Sequence, residues 1–273
     1  MGASMQEQFP RTVRTQRPRR ISVFDGQDLK KALLAGAAWL EFHREAINAL
    51  NVFPVPDGDT GSNMSATMQA AIRGIADSSD TSAGAIASKV AHGALLGARG
   101  NSGVILSQTL RGLAQGLEKK STFGASDLAN ALQEASRLAY RAVIKPVEGT
   151  ILTVVRESAE AAQKSAGGGD DLVRLMQEVV MAARQSVART PDLLPILKQA
   201  GVVDSGGQGF CTILEGIWQY IRGESLELAI AALPLNASVQ APSLNTHVKK
   251  GRVKIEEEFG YEVVFLLGGE HLD

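Results

Sequence analysis

The sequence predicts an all-α protein, with eight principal helices packed as antiparallel neighbours around one core. Three observations support this. Hydrophobic residues make up 44% of the chain but aromatics only 5%, so alanine and leucine supply the apolar content, as in packed helices rather than sheets. Apolar residues recur at helical spacing from Asp28 onward. No strand pattern interrupts the helices before about residue 230, and the links between them are short.

Start and stop signals in the sequence separate the predicted helices. The first runs from Asp28 to about Leu50, where apolar residues fall three, four or seven apart with one drift at Arg44. The others are predicted at residues 62–77, 82–99, 102–119, 126–144, 149–166, 170–190 and 206–222. Ser126 is expected to cap its helix, and Thr190-Pro191 to end another before a short helix at 192–199.

Composition divides the chain into four parts. Residues 1–23, with five arginines among the first twenty, are expected to be a disordered basic arm. Residues 24–230 form the helical domain, and residues 231–250 read as a linker. Residues 251–273 carry two strand-like runs, 253–255 and 261–267, and are expected to be the truncated start of a middle domain, giving a short C-terminal β segment.

Charge and cysteine content exclude several functions. The net charge of −1 gives no reason to expect nucleic acid as a partner. A single cysteine, Cys211, excludes an internal disulfide and a cysteine-cluster metal site. No apolar stretch resembles a signal peptide or reaches the length of a membrane span, so a cytoplasmic protein is expected.

An acidic loop is the most informative stretch. Asp57 and Asp59 flank a glycine at the end of a loop stiffened by prolines, just before a helix. Side chains two apart in an extended segment point the same way, so both carboxylates can converge on one cation. Asn51 offers a further oxygen, and this donor set suits magnesium. Alternatively, the loop is a solvated turn in which Asp59 or Thr60 caps the helix.

A second feature is a glycine-rich junction at 97–103, Gly-Ala-Arg-Gly-Asn-Ser-Gly, at the start of a helix. Small residues leave the first backbone N–H groups uncovered, and a helix N-terminus attracts phosphate. Ser102 adds a hydroxyl donor. Close packing of two helices through glycine explains the same residues.

Two further junctions also open helices. Residues 200–209 carry Asp204, which could accept a hydrogen bond from a ribose hydroxyl, although a plain turn explains this stretch almost as well. Gly149 and Thr150 form a weaker third junction. If the acidic loop and these helix starts share one end of the bundle, they form a nucleotide site without a P-loop.

Four blocks in this order resemble a known family. Residues 49–64, 97–108, 149–157 and 200–209 closely resemble the N-terminal domain of the bacterial fatty acid kinase ATP-binding subunit. That domain is similar to the nucleotide-binding L subunit of dihydroxyacetone kinase. The likeness covers roughly residues 24–225.

The resemblance implies an eight-helix barrel with ATP or ADP and two magnesium ions at one end. It implies that Asp57 and Asp59 are the catalytic metal ligands, with Asn51 as a third ligand. Relatives carry an aspartate where Asn51 is the nearest candidate here, so the metal shell would hold less charge. The implied nucleotide contacts are Thr60 and Asn63 beside the phosphates, Gly100, Asn101, Ser102 and Gly103 on phosphate oxygens, and Thr150 and Asp204 near the nucleoside.

The resemblance also implies an activity and partners. The activity is transfer of the ATP γ-phosphoryl group to a fatty acid carboxylate presented by a separate fatty-acid-binding carrier protein. A homodimer would form through the middle domain, and the isolated fragment would be inactive without its missing domains and the carrier. Three alternatives remain: a dihydroxyacetone kinase nucleotide-binding subunit, a non-catalytic ATP-binding module, and a purely structural helical module.

Overall fold

The computed structural model describes residues 20–224 and residue 233. Within them the chain forms ten helices: α1 (Gly26–Phe42), α2 (Arg44–Asn48), α3 (Thr60–Arg73), α4 (Ala83–Leu96), α5 (Gly100–Gly116), α6 (Ala125–Arg141), α7 (Ile151–Ala166), α8 (Leu172–Leu193), α9 (Pro195–Ala200) and α10 (Ser205–Ile221). Eight are long, and α2 and α9 are short connectors. The described residues contain no strand, only one isolated bridge between Phe24 and Phe123. The all-α prediction with eight principal helices is therefore confirmed.

The long helices form an up-and-down ring. Each packs against its neighbour in the chain, and α10 packs against α1 to close the ring. Because consecutive long helices alternate in direction, the N-termini of α3, α5, α7 and α10 lie at one end. The loop that contains Asp57 and Asp59 precedes α3, so it lies at the same end. We call this the acidic-loop end.

The core inside the ring consists mostly of alanine, leucine, isoleucine and valine. Leu40, Ile72 and Leu106 are among its largest side chains and are essentially inaccessible to solvent. Each such side chain stabilises the fold by roughly 1.5–3 kcal/mol relative to an exposed one. Glycine brings the first and last helices together, since a Cβ at Gly216 would lie 2.6 Å from Cβ of Trp39. No helix in the described part of the chain is long and apolar enough to cross a membrane.

The first predicted helix is broken in the structure. It was expected to run to about residue 50, but α1 ends at Phe42 and α2 starts at Arg44. His43 lies between them, and its Nδ1 lies 2.8 Å from the Trp39 carbonyl oxygen. The irregular spacing at Arg44 was the sequence signal of this break.

The prediction that Thr190-Pro191 ends a helix is wrong. Helix α8 continues through Pro191 to Leu193. A proline cannot donate to the carbonyl four residues earlier, which here belongs to Val187. The Thr190 hydroxyl donates to that carbonyl instead, at 2.7 Å, so the missing bond is replaced and the helix persists.

Ser126 does not cap α6. The N-cap residue is Gly124, and Ser126 lies inside the first turn. The Asp170 carboxylate, from the link before α8, accepts from the Ala125 amide at 3.0 Å. The cap therefore comes from a residue distant in sequence, which local pattern does not reveal.

The limits of the helical domain remain a prediction, and two observations bear on them. Residues 20–23 were assigned to the arm, yet the Ile21 carbonyl accepts from the Leu172 amide at 2.8 Å, and Ile21 packs against the core. Leu233, in the stretch expected to be a linker, is buried with 7% exposure. The rest of the arm, the rest of the linker and the expected β segment lie outside the described residues.

Candidate functional site

The acidic loop is held in place by Asn51. Its side-chain Nδ2 donates to the Val55 carbonyl at 2.6 Å, and its Oδ1 accepts from the Thr60 amide at 3.2 Å. The Thr60 hydroxyl also donates to Oδ1. Asn51 is buried, with 8% exposure. Its amide oxygen is thus already engaged by protein donors, which makes Asn51 the residue that folds the loop.

Helix α3 begins without using the two carboxylates. Asp59 is its N-cap residue, but the Asp59 side chain makes no capping hydrogen bond. Asn51 accepts from the Thr60 amide, and Asn48 Oδ1 accepts from the Ser62 amide at 3.0 Å. Asparagines from α2 and its C-terminal link therefore replace the local cap. The alternative in which Asp59 caps the helix is not what the structure forms.

Asp57 and Asp59 interact with each other. Burial, together with the neighbouring Asp59 carboxylate, raises the pKa of Asp57 to about 6. Gly58 between them has φ of +72°, a conformation that glycine adopts without strain. Two carboxylates held this close repel when both are ionised, and a cation between them removes the repulsion.

Helix α5 begins against α3. Gly100 has φ of +58°, and a Cβ there would lie 2.4 Å from Nδ2 of Asn63. The Arg99 amide donates to Oγ1 of Thr67 at 3.2 Å. Asn63 in turn follows directly from the loop, since its amide donates to the Asp59 carbonyl at 2.8 Å. The acidic loop and the glycine-rich start of α5 are therefore neighbours.

The amides at the start of α5 differ from those of the other long helices. Side chains accept from the first turns of α1, α4, α7, α8 and α10, and Asp170 does so at α6. At α5 the N-cap residue Arg99 supplies no such acceptor. The Gly100 and Ser102 amides also have no acceptor elsewhere in the described residues. These donors are available to an anion.

Asp204 joins the starts of α7 and α10. Its carboxylate accepts from the Gly207 amide at 2.6 Å and from the Ile151 amide. Its own amide donates to Oγ1 of Thr190 at 3.0 Å. Burial raises the pKa of Asp204 to about 7, against the opposing effect of the two amide donors. The next residue, Ser205, donates through its hydroxyl to Oγ1 of Thr60 at 3.1 Å, which links α10 to the acidic loop.

Thr150 is the N-cap residue of α7. Its hydroxyl donates to the Val147 carbonyl at 2.7 Å and accepts from the Leu152 amide at 3.4 Å. Thr150 and Asp204 are both largely buried, with exposures of 9% and 4%. Both hold the link before α7 in place, so any contact with a nucleoside would add to a role in the fold.

The residues singled out in the sequence meet at one end. The contacts run from the acidic loop through Thr60 to Ser205, through Asn63 to Gly100, and from Asp204 to Ile151. Asn101, Ser102 and Gly103 follow Gly100 within the first turn of α5. The expected juxtaposition of loop and helix starts is present.

Two groups of functional interest were not anticipated. Asn48 was overlooked, although it precedes Asn51 by three residues and faces the same loop. The second group fixes the link between α6 and α7. There Glu148 Oε1 accepts from the Tyr140 hydroxyl at 2.8 Å, and Oε2 accepts from Thr153 and Arg156 at 2.7 and 3.0 Å. The charged residues around Thr150 were the available signal.

The donor set fits a magnesium ion better than a transition metal. Among the described residues no group of three or more histidine, cysteine, aspartate or glutamate side chains could hold a metal. At the acidic loop, Asp57 and Asp59 supply charged oxygen donors. Magnesium is usually bound by one or two carboxylates together with water and phosphate oxygens, so two carboxylates are sufficient for it.

Comparison with known proteins places this fold and site in context. The family model described as the DAK2 domain matches residues 54–219. Protein YloV of Bacillus subtilis (strain 168) is 46% identical over 206 residues, which cover 76% of this chain and 37% of YloV. Uncharacterized protein SSP1546 of Staphylococcus saprophyticus is 40% identical over 239 residues, which cover 88% of this chain and 41% of that protein. The chain therefore spans about two fifths of the length of these relatives.

A solved structure shares the fold. The crystal structure of the dihydroxyacetone kinase of C. freundii in its native form matches with a TM-score of 0.50 and 18% identity, covering 78% of this chain and 39% of that chain. At this level of identity the match concerns the arrangement of helices. It agrees with the helical barrel expected from the resemblance.

Proposed function

The chain belongs to the DAK2 domain family, and from that premise we propose that it is the ATP- and magnesium-binding domain of a phosphotransferase. Its acceptor is a fatty acid carboxylate that a separate carrier protein presents. The product is an acyl phosphate.

One observation carries the proposal. Asp57 and Asp59, whose carboxylates do not cap α3, lie beside the start of α5, where the Gly100 and Ser102 amides have no acceptor among the described residues. A polyphosphate binds where N–H donors and cations can offset its negative charge. The start of α5 offers amide donors, and Asp57 and Asp59 offer ligands for divalent cations. A purely structural bundle has no need for either feature.

The residues of the site would have different roles in cation binding, phosphate binding and support of the loop. Asp57 and Asp59 would hold the cations. The first turn of α5, Gly100 to Gly103, would lie against the phosphate oxygens, with the Gly100 and Ser102 amides as donors. Bound magnesium supplies neutralisation of the charge on the transferring phosphoryl group. Asn51, with Asn48, keeps the loop folded so that both carboxylates stay in place. Asp204 and Thr150 fix the adjoining wall of the site.

A fatty acid is a suitable acceptor for a site of this kind. A carboxylate has a pKa of about 4 in solution, so it is ionised at neutral pH and needs no general base. The chemistry then requires positioning and charge neutralisation, which the acidic-loop end offers.

Exposed hydrophobic side chains around the site support the proposal that a separate carrier protein binds there. Ten large hydrophobic side chains are exposed among the described residues. Eight of them lie at the acidic-loop end: Phe42, Val55, Leu95, Leu96, Val104, Ile144, Val147 and Leu193. Exposed apolar side chains gathered on one side of a molecule mark an interaction surface. A carrier that covers this end would bring its acceptor to the phosphates.

A dihydroxyacetone kinase subunit is the second candidate, favoured by the fold match to the C. freundii enzyme. A hydroxyl acceptor, unlike a carboxylate, must lose a proton during transfer. Offering a carrier loaded with fatty acid and, separately, dihydroxyacetone, each with ATP and magnesium, to a protein of the relatives' full length that contains this domain distinguishes the two. We expect an acyl phosphate, trapped as its hydroxamate. Phosphorylated dihydroxyacetone alone would favour the second candidate.

Titration calorimetry tests the nucleotide site itself. Asp57→Asn and Asp59→Asn are each expected to lose magnesium-dependent ATP affinity by at least about tenfold, since each removes a charged oxygen ligand. Asp77→Asn, an exposed acidic residue between α3 and α4, is the matched control and should bind as the parent does. Circular dichroism should show unchanged helix content in all three. Unchanged affinity in both loop variants contradicts the assignment, and absence of ATP binding by the parent leaves the structural-module alternative.

A further inference from the structure

A groove runs along the outside of the barrel between α5 and α6, with a volume of about 560 Å³. We call it the arginine groove. It is lined by Val104, Gln108, Arg111, Gln115, Arg137, Leu138, Arg141 and Ala142. The α5 members are spaced four, three and four apart, so they share one helix face. The groove opens at the acidic-loop end, where Val104 and Ala142 lie.

Small residues form the contact between the two helices beside the groove. A Cβ at Gly112 would lie 2.4 Å from Cα of Ala135, and one at Gly116 would lie 2.3 Å from Cα of Ala131. The helices approach closely there, and the long side chains of the neighbouring positions stand on either side. The groove therefore results from small residues at the contact between α5 and α6 and from longer side chains on both sides of it.

The groove has a positive charge that nearby carboxylates do not balance. Arg137 is paired with Glu134 at 2.6 Å. Neither Arg111 nor Arg141 has a carboxylate partner among the described residues. Arg111 makes only a long contact, 3.5 Å, to Oε1 of Gln108. The groove is therefore lined by two guanidinium groups and two glutamine amides, which have N–H donors available to a ligand.

The shape of the groove favours a polypeptide over a small anion. Sites for small molecules bury most of the ligand surface. Here Arg111, Arg137 and Arg141 are all exposed. A bound phosphate would therefore remain in contact with water, and screening would leave it little binding free energy from these charges. An extended segment gains from several contacts at once. Its carboxylates match the planar guanidinium groups, and its apolar side chains match Val104 and Leu138.

We propose that the arginine groove is the docking site for an acidic segment of the protein that presents the acceptor. The inference rests on the proposed function in one respect, that the acceptor arrives on a second protein. Apolar contact at Val104, Ile144 and Val147 would continue from the groove onto the acidic-loop end, so one partner covers both. The groove then aligns the partner, and the charge complementarity raises the rate of association.

Fluorescence anisotropy with a defined probe tests the groove. The probe is a fluorescein-labelled peptide of four Glu-Glu-Leu repeats, and its neutral counterpart has glutamine in place of glutamate. The double variant Arg111→Gln/Arg141→Gln should weaken binding of the acidic peptide by about tenfold or more. The control Arg73→Gln/Arg174→Gln removes the same charge from exposed positions on α3 and α8 and should bind as the parent does. The neutral peptide should not bind.

Three results would overturn the inference. These are no binding of the acidic peptide to the parent, equal loss in both double variants, or tighter binding of a labelled twelve-nucleotide oligouridylate that the groove variant abolishes. The last result would assign the groove to nucleic acid. Magnesium-dependent ATP affinity, measured on the same samples, should be the same in all variants. A failure of the proposed function would therefore appear in the ATP titration and a failure of the docking groove in the anisotropy.

Discussion

At the scale of single residues, Asp204 shows how a buried carboxylate can serve two helices. It receives amides from the starts of α7 and α10 and is almost inaccessible to solvent. Desolvation outweighs these donors and raises its pKa to about 7. The native state therefore keeps a proton on Asp204 at pH values where the unfolded chain, with the ordinary aspartate pKa near 3.8, has released it.

This proton makes stability depend on pH. Between about pH 4 and pH 7 the native state binds more protons at Asp204 than the unfolded state, so the free energy of unfolding falls as pH rises and levels off above pH 7. Urea unfolding of the parent and of Asp204→Asn at several pH values measures this effect. The stability of the parent relative to the variant should decline across that window. The difference cancels the titration of Asp57, which both proteins share. A difference that rises with pH would mean that the amide donors win and the carboxylate is ionised.

Gly100 permits the close approach between α5 and Asn63. Its φ of +58° disfavours any side chain, and a Cβ at this position would lie only 2.4 Å from Nδ2 of Asn63. Gly100→Ala should destabilise the fold by about 1–2 kcal/mol, the usual cost of the left-handed conformation. It should also weaken ATP binding, because the first turn of α5 must shift.

Gly74→Ala is the matched control for Gly100→Ala. Gly74 has φ of −70° and no atom within 4 Å of the position that a Cβ would occupy. The change should be neutral or stabilise the fold by up to about 1 kcal/mol, since it restricts the unfolded chain. Urea unfolding and calorimetry on both variants check the pair. Equal effects would show that the start of α5 has no special geometry.

At the scale of elements, the end of α8 shows where sequence reasoning failed and why. The pattern Thr190-Pro191 normally ends a helix, because the residue before proline avoids the helical region. Here the Thr190 hydroxyl replaces the lost donor to Val187 and also accepts from the Asp204 amide. One hydroxyl thus extends a helix and anchors the loop of the candidate site.

Removing that hydroxyl should be costly. Thr190→Val leaves the Val187 carbonyl and the Asp204 amide without partners in a buried region, at about 1–3 kcal/mol each. We expect a loss of at least about 2 kcal/mol in the free energy of unfolding, together with weaker ATP binding. Thr190→Ser keeps the hydroxyl and should lose about 1 kcal/mol, from the methyl group alone. Denaturant unfolding compares the two, and equal losses would show that the hydroxyl does not hold the loop.

The elements that could be predicted share one property, a long regular apolar period. That period located all eight long helices, because each buries one face in a common core. It could not locate features set by contacts distant in sequence. The Asp170 cap on α6 and the asparagine caps on α3 depend on side chains from other elements. The site was predictable in part for the same reason. Local glycine and aspartate patterns marked Asp57, Asp59 and Gly100, whereas the roles of Asn48 and Glu148 depend on contacts that the structure shows.

At the scale of the whole molecule, alternation of helix direction creates the site. Four of the eight long helices start at the acidic-loop end, so their amides and the acidic loop converge without any catalytic sheet or P-loop in the described part of the chain. Most of the large hydrophobic side chains that are exposed in the described part of the chain also lie at this end. At the opposite end, helices α1, α4, α6 and α8 start with caps supplied by Asp25, Ser82, Asp170 and Asp171. Side chains also accept from the first turns of α3, α7 and α10 at the acidic-loop end, so the two ends differ at α5, where the Gly100 and Ser102 amides have no acceptor among the described residues. In this respect the acidic-loop end is open for binding.

The central claim is that this open end binds a magnesium nucleotide through Asp57, Asp59 and the first turn of α5. A crystal structure of the chain with ADP and magnesium tests the claim most directly. The account predicts metal bound to both carboxylates, and phosphate oxygens accepting hydrogen bonds from the Gly100 and Ser102 amides in the first turn of α5. Nucleotide bound in the arginine groove or at the capped end, with the two aspartates left in water, would contradict it.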